Sequence, residues 1–518
     1  MNSLTPPCRL ALALAFVGAC PGDPATTSDT DTSSSTGTTM PADSTGTNSD
    51  STATTAEPPS TSAEPTSQGT STPTTTGTTD DTTTTSGPEE AGLWLVQLVS
   101  DASASAHSIV ITEQGDVVVA GAFAGTLEIG DVSLTSAGAL DLFVARWTAA
   151  GELLWASRFG GPGGEHEASI TVGEGGDLLL AAEFSDTLEV PGLSPLVSQG
   201  MTDIFLLQLH GDGTPSSIRG FGGEGQELEP RAVVDADGSI FLAASFEGFI
   251  DVGGGPLAAT DAHDLLLAKL DFEGGHLWSQ VFANSADISA HDLALGEDGD
   301  VAVTGWFANA IDFGGGVFED GGAYVVVVDG DTGVHRWSQQ LGSGNSGGCG
   351  ARFAADGGLA VTGWFQNAID FGSGPIAAND EHADHFAARF GPDGELAWGG
   401  AHGGPNVDSG CALGAGPDGG WVLGGTFNQQ IDLGGGPLTT ETAPCAFLAG
   451  LDGDGGHRWS MPLCAASGGQ VHRLATYPEG HVAFIAGFAG PVELFGQPLD
   501  AAKPYEVVAH VPAPLLAP

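Results

Sequence analysis

The sequence predicts an all-β fold: a single seven-bladed β-propeller with four strands per blade, an N-terminal strand closing the last blade, and a disordered linker ahead of it. Three observations predict it. Glycine supplies 82 of 518 residues, which without a collagen-like period implies many tight turns between short strands. A pattern of turn glycine, phenylalanine and carboxylate recurs seven times, about 61 residues apart. The folded part also opens on a tryptophan strand that has no blade before it.

The repeat is countable. Turn glycines fall at Gly115, Gly176, Gly238, Gly299, Gly357, Gly419 and Gly480. Eight residues after each stands Phe123, Phe184, Phe246, Phe307, Phe365, Phe427 or Phe488. Five further on is a carboxylate: Glu128, Glu189, Asp251, Asp312, Asp370, Asp432 and Glu493. All seven units keep both offsets, which chance does not supply. Two residues before each Phe is Gly or Ala, so a neighbouring backbone or ring can approach closely there. Apolar runs such as Val117–Val119, Leu178–Leu180 and Val301–Val303 read as strands buried on both faces. Short strands, Gly/Asp turns and this period indicate radially arranged four-stranded blades.

Tryptophan shows how the ring closes. Trp94, Trp155, Trp278, Trp398 and Trp459 lie 21 residues before a turn glycine, and Trp337 lies 20 before; the third unit has Ser217 in that slot. The seventh unit ends after Tyr505–His510 with no such strand following. The strand around Trp94, Gly92 to Leu98, is therefore expected to complete the seventh blade and pair its open edge. The stretches Gly115-Asp-Val-Val-Val-Ala-Gly-Ala-Phe123 and Asp141-Leu-Phe-Val-Ala-Arg146 resemble units of the bacterial β-propeller repeats labelled SBBP, over roughly residues 92–511. That resemblance implies fold and an extracellular setting; it implies no particular reaction.

Ahead of the propeller, residues 1–19 read as a signal peptide. Arg9 is followed by an apolar run of about ten residues, Leu10 to Ala19, too short to span a bilayer. Val17-Gly18-Ala19-Cys20 resembles the lipobox of bacterial lipoprotein precursors. The resemblance implies cleavage before Cys20 and acyl chains on it, anchoring the protein at roughly 0.8 kcal/mol per buried methylene. An ordinary signal peptide with a coincidental cysteine is the alternative. Residue 21 is Pro rather than Asp, so the inner-membrane retention signal of such lipoproteins is missing. Outer membrane or cell surface is the expected address. Residues 20–90 are a Ser/Thr/Pro-rich tether with almost no apolar residue, expected to stay disordered. As a flexible coil it would span roughly 45–50 Å. Thr82–Thr85 could carry O-glycans. The propeller is expected over 91–518, as a monomer.

Charge excludes some classes. Twelve Lys+Arg stand against 65 Asp+Glu, a net of −53, and a nucleic-acid binder needs a basic face to neutralise phosphates. Docking to anionic lipid through basic residues is excluded on the same ground, which leaves the lipid anchor as the expected membrane contact.

Several candidate sites remain. The seven carboxylates recur in every unit and read as caps of their own loops, as do Asp141, Asp203, Asp264 and Asp384 before the third strands. Turns such as Asp235–Gly238 and Asp452–Gly455 lack the twelve-residue calcium loop. Eight residues before each turn glycine the units carry His107, Ala168, Pro230, His291, Cys349, Cys411 and His472. His107, His291, Cys349, Cys411 and His472 thus form a candidate zinc or copper set at one mouth of the channel. A disulfide between Cys349 and Cys411 is the competing use. Cys445 and Cys464 flank a predicted hairpin and are candidates for another bridge. Trp306 and Trp364 occupy a slot that holds Glu183 in another unit, and so could stack on a sugar or peptide. No nucleophile elbow, phosphate loop or paired acid–base constellation appears. The expected role is a non-catalytic surface module binding a protein or glycan partner. The alternatives are a metal-binding protein or metal-dependent enzyme using the His/Cys set, and a structural surface protein without a ligand.

Overall fold

The structure is a computed structural model that describes residues 92–516, apart from 261–262, 284–286, 442 and 500–502. The signal segment, Cys20 and the tether lie outside the described residues.

Seven four-stranded antiparallel blades form the propeller. In the first blade the strands run from the channel outward as Ser103–Ile111, Val117–Ala124, Asp141–Trp147 and Leu153–Phe159. The next five repeat that order. The seventh takes Gly469–Thr476, Val482–Phe488 and Tyr505–Val511 from the end of the chain, and its outer strand is Trp94–Ser100 from the beginning. Trp94 pairs with His510 and the register runs on to Leu98 opposite Glu506. The expected closure by the N-terminal strand is therefore present.

Each repeated residue has a physical task. The seven turn glycines all have positive φ, between 71° and 90°, a region that costs any residue with a Cβ. The seven Phe side chains are at most 1% exposed and fill the space between adjacent sheets. At Gly121, Gly305, Gly363 and Gly425 an added Cβ would collide with a backbone carbonyl of the inner strand (that of Ser105, Ser289, Gly347 or Ser409). In four units the carboxylate five residues past the Phe caps its own loop: Asp251, Asp312, Asp370 and Asp432 each accept two backbone N–H bonds from glycines two and four residues on.

The tryptophan strands lock blade to blade. The indole Nε1 of Trp94, Trp155, Trp278 and Trp398 donates to Ala149, Gly211, Gly330 and Gly453 respectively, at 2.9–3.1 Å, each in a hairpin turn of the next blade. Where Ser217 replaces the tryptophan, Gln208 Nε2 donates to Phe272 O instead, at 2.6 Å.

A second set of contacts lies between the blades. Asp141, Asp203 and Asp384 each cap the loop before their own strand, and each also faces a carboxyl at the start of the next inner strand. The pairs are Asp141 with Glu165, Asp203 with Glu227 and Asp384 with Asp408. All six are at most 2% exposed. Burial, then the neighbouring Asp141, pushes Glu165 up to about 8. Glu227 is likewise pushed up to about 8 by burial and by Asp203. Burial pushes Asp408 up to about 7. Two carboxyls so placed cannot both ionise cheaply, so these junctions retain protons near neutral pH.

The sixth blade uses a covalent bond in the same place. Cys445 pairs with Phe427 just as Asp141 pairs with Phe123, and Cys464 follows Leu463 as Gly160 follows Phe159. The expected bridge between Cys445 and Cys464 is formed, with Cα atoms 4.5 Å apart. A second disulfide joins Cys349 to Cys411, 62 residues apart and on neighbouring inner strands. Closing a loop of that length in the unfolded chain is worth roughly 4 kcal/mol. Cys349→Ala/Cys411→Ala is therefore expected to lower the urea midpoint and, by letting the unfolded chain expand, to steepen the transition. An unchanged midpoint would show that the bridge does not constrain the unfolded chain.

Candidate functional site

The inner strands line the central channel, and each carries an irregularity at the same level. The ladder to the second strand slips between Ala106 and Ser108, His166 and Ser169, Leu228 and Arg231, and Ala290 and Asp292. It slips again between Gly348 and Gly350, Ser409 and Ala412, and Val471 and Arg473. The slot of His107, Ala168, Pro230, His291, Cys349, Cys411 and His472 is thus a sevenfold β-bulge, whose residues are released from the ladder.

The released side chains of His107, His291 and Cys349 turn to the next blade, and His472 turns to its own. His107 Nδ1 accepts the Ala168 N–H at 3.2 Å, and His291 Nδ1 lies 3.0 Å from Gly348 O. Cys349 is bonded to Cys411, and His472 Nε2 lies 3.6 Å from Glu506. Two of the five residues of the candidate zinc or copper set are therefore not thiolates, and His107 and His291 are engaged with backbone. Among the described residues no group of three or more His, Cys, Asp or Glu side chains is arranged to hold a metal ion. The reason lies in their contacts: His107, His291 and Cys349 engage the neighbouring inner strand, and His472 engages its own blade.

What does gather in the channel is charge. Of the 12 basic residues, Arg231, Arg352 and Arg473 sit on inner strands. Arg231 donates from Nε to His291 O at 2.8 Å and pairs with Glu167 at 3.4 Å. Arg352 pairs with Asp292 at 2.7 Å. Glu229 accepts a hydrogen bond from Ser289 Oγ at 2.5 Å, and its backbone N–H donates to Glu183 Oε1 at 2.6 Å. Glu167 and Glu229 have φ of 51° and 56°. That conformation costs of order 1–3 kcal/mol at a residue with a side chain and persists only where the surroundings enforce it.

These groups divide by protonation. Burial, with Glu167 and Glu229 nearby, pushes Glu183 up to about 8, so it carries a proton at neutral pH. Burial works against ionised Glu167, but Arg231, His107 and Arg473 outweigh it and hold its carboxyl below the usual range. Burial lowers His107 and His291, which are neutral at pH 7.

By register, Glu183, Trp306 and Trp364 stand at the mouth where the inner strands begin. Glu183 pairs with His166, Trp306 with Ser289, and Trp364 with Gly347. The same slot reaches across to the next inner strand elsewhere: Ser245 Oγ donates to Ile288 O, and Thr426 Oγ1 to Gly469 O. Trp306 and Trp364, on neighbouring blades, are both half-buried. They flank an inner strand with bare glycines at 347, 348 and 350.

The bulge slot stands out in the sequence by its His and Cys residues; the charged residues on either side of it do not. Glu167 and Glu229 immediately precede that slot; Arg231, Asp292 and Arg473 immediately follow it. A comparison of those two flanking columns was the signal that could have found them.

Strand order and channel together define a seven-bladed β-propeller with a polar, mixed-charge channel. No family model matches the chain, and no curated protein matches it, so the likeness to SBBP-type repeats rests on the quoted stretches. Among solved structures, the chain is similar to a protein of unknown function from Dyadobacter fermentans, with 11% identity, TM-score 0.37, and coverage of 80% of this chain and 97% of that one. It is also similar to a catalytically inactive virginiamycin B lyase from Staphylococcus aureus with quinupristin, at 10% identity and TM-score 0.39, covering 80% and 99%. Hydrazine synthase of Kuenenia stuttgartiensis matches at 11% identity and TM-score 0.40, covering 78% and 98%. At these values nothing of their chemistry passes to this chain, whose fold rests on its own strand pairing.

Proposed function

We propose that this chain is a lipid-anchored surface protein of the SBBP-repeat type, whose propeller is a non-catalytic binding or scaffold module for a protein or glycan partner. The Val17–Cys20 stretch supports export to the outer membrane or cell surface with acylation at Cys20, and the tether of residues 20–90 supports presentation away from the membrane. The net charge of −53 speaks against nucleic acid as the partner.

One observation carries the binding role: the channel mouth. Two half-buried tryptophans on neighbouring blades stand there, and Ser289, opposite Trp306, donates its hydroxyl to the Glu229 carboxyl. An aromatic face beside fixed hydrogen-bonding groups recognises a sugar ring or a peptide side chain. The test is the exported chain on glycan and peptide arrays, beside Trp306→Ala/Trp364→Ala. We expect binding to one ligand class, weakened at least about tenfold by the double substitution, since each stacked ring contributes roughly 1 kcal/mol. Silence across broad panels would overturn the reading and leave a structural surface role.

A further inference from the structure

We propose that the channel holds one oxyanion, a carboxylate, sulfate or phosphate group, on the guanidinium of Arg473. The inference rests on the channel being the ligand-binding face and names the chemistry of one of its subsites.

Arg473 follows the bulge residue His472 on the inner strand of the seventh blade. Its side chain is enclosed by the channel wall, and burial acts to lower its pKa; part of it still reaches solvent. Its one side-chain hydrogen bond among the described residues goes to His472 O, at 2.9 Å. The other two channel arginines have carboxylate partners, Glu167 for Arg231 and Asp292 for Arg352. Arg473 has none within 4.0 Å among the described residues.

The charged groups that act on Arg473 are Arg231, Asp292, Glu167 and Arg352. Both carboxylates are already engaged by the other two arginines. Of the three channel guanidinium groups, Arg473 is thus the one without an ion pair among the described residues. Burial lowers His107 and His291, so neither adds positive charge beside it. On the mouth side Glu506 faces His472. Glu229 is held by Ser289.

An enclosed, unpaired cation is costly, and the cost falls when a counter-charge arrives with matching geometry. A guanidinium presents parallel N–H donors that fit two oxygens of one oxyanion. Arg473 meets that description; the ion-paired Arg231 and Arg352 supply field and not the primary contact.

The test is calorimetric titration of the full chain at pH 7 with sodium sulfate, sodium phosphate and sodium glucuronate, at ionic strength held constant with chloride. We expect saturable binding of at least one of them at one site per chain. Preference for glucuronate would assign the oxyanion to a saccharide, and preference for sulfate or phosphate to an inorganic group. Affinity should fall at least tenfold in Arg473→Gln, fall less in Arg473→Lys, which keeps the charge, and stay unchanged in Arg458→Gln, where the substituted residue is exposed. No saturable binding of all three anions would overturn the proposal, as would equal affinity in wild type and Arg473→Gln with both folded by circular dichroism. Array binding without anion binding removes this inference alone; anion binding without an array ligand removes the partner reading alone.

Discussion

Replacing residues 92–101 by a Gly/Ser segment in the full chain is expected to open the ring and lower the melting temperature by about 10 °C or more. The strand Trp94–Ser100 supplies the outer edge of the seventh blade through five paired positions. Trp94 and Leu98 are buried in it, at 9% and 1% exposure, and each contributes roughly 2–3 kcal/mol through apolar area alone. Trp94 also reaches the first blade, donating to Ala149 O and stacking on Trp147 and His510. Without the strand, Tyr505–Val511 becomes an open edge in which all seven residues had been buried. Unpaired edges of that kind recruit other chains. The replaced chain should therefore elute partly as aggregates, whereas Trp94→Ala alone should cost about 3 kcal/mol and remain monomeric. Thermal melts with size-exclusion chromatography read both, and an unchanged melt in the replaced chain would mean the ring closes by another route.

Stability is expected to fall from neutral pH towards pH 9 by several kcal/mol, read as roughly 5–10 °C in melting temperature. On the alkaline side the cause is the set of buried carboxyls. Glu165, Glu183 and Glu227 are pushed up to about 8 and Asp408 to about 7, each first by burial. A folded-state value above the unfolded one means that folding takes up protons. That stability is complete below the ordinary carboxyl range and is lost as pH rises through 7–8. Histidines act on the acid side. Burial lowers His107, His166, His291, His335, His385, His402 and His510. Their contribution is complete above the ordinary histidine value and is lost as pH falls through the lowered ones. Asp203, Asp300 and Asp384 are also raised by burial, so below pH 6.5 raised carboxyls and lowered histidines act in opposite directions. Glu227→Gln, which keeps shape and a hydrogen-bonding group, should flatten the alkaline limb and raise stability at pH 9. A melting temperature that rises from pH 7 to 9 would show that these junctions are ionised in the fold.

Much of this architecture was legible because it is written locally and seven times. A turn glycine, a Phe eight residues on and a carboxylate five beyond that are short-range demands of one hairpin, and repetition averages away accident. The clasp was legible from a mismatch: Trp94 begins a unit with no predecessor, and Tyr505–His510 ends one with no Trp strand. The bridge between Cys445 and Cys464 followed from a single hairpin register. The bulge slot was legible only as a column: His291, Cys349, Cys411 and His472 follow one another in it and left a ligand set and a disulfide both open, because a one-residue slip in a ladder leaves no mark on spacing. The Cys349–Cys411 bridge is formed. The acid pairs were hidden for another reason. Asp141 and Glu165 are 24 residues apart and belong to different blades, so no single repeat contains both.

The sequence by itself determined the number of blades, their strand order and the strand that closes the ring. These depend on periodicity and turn chemistry, which are properties of short stretches of chain. Only the tertiary structure decided which faces of neighbouring blades meet. Ring curvature brings Arg473 within reach of Glu167, 306 residues earlier, and separates histidines that share a column. The contents of the channel follow from that closure, since side chains from all seven inner strands become neighbours only once the last blade has been completed by the first strand.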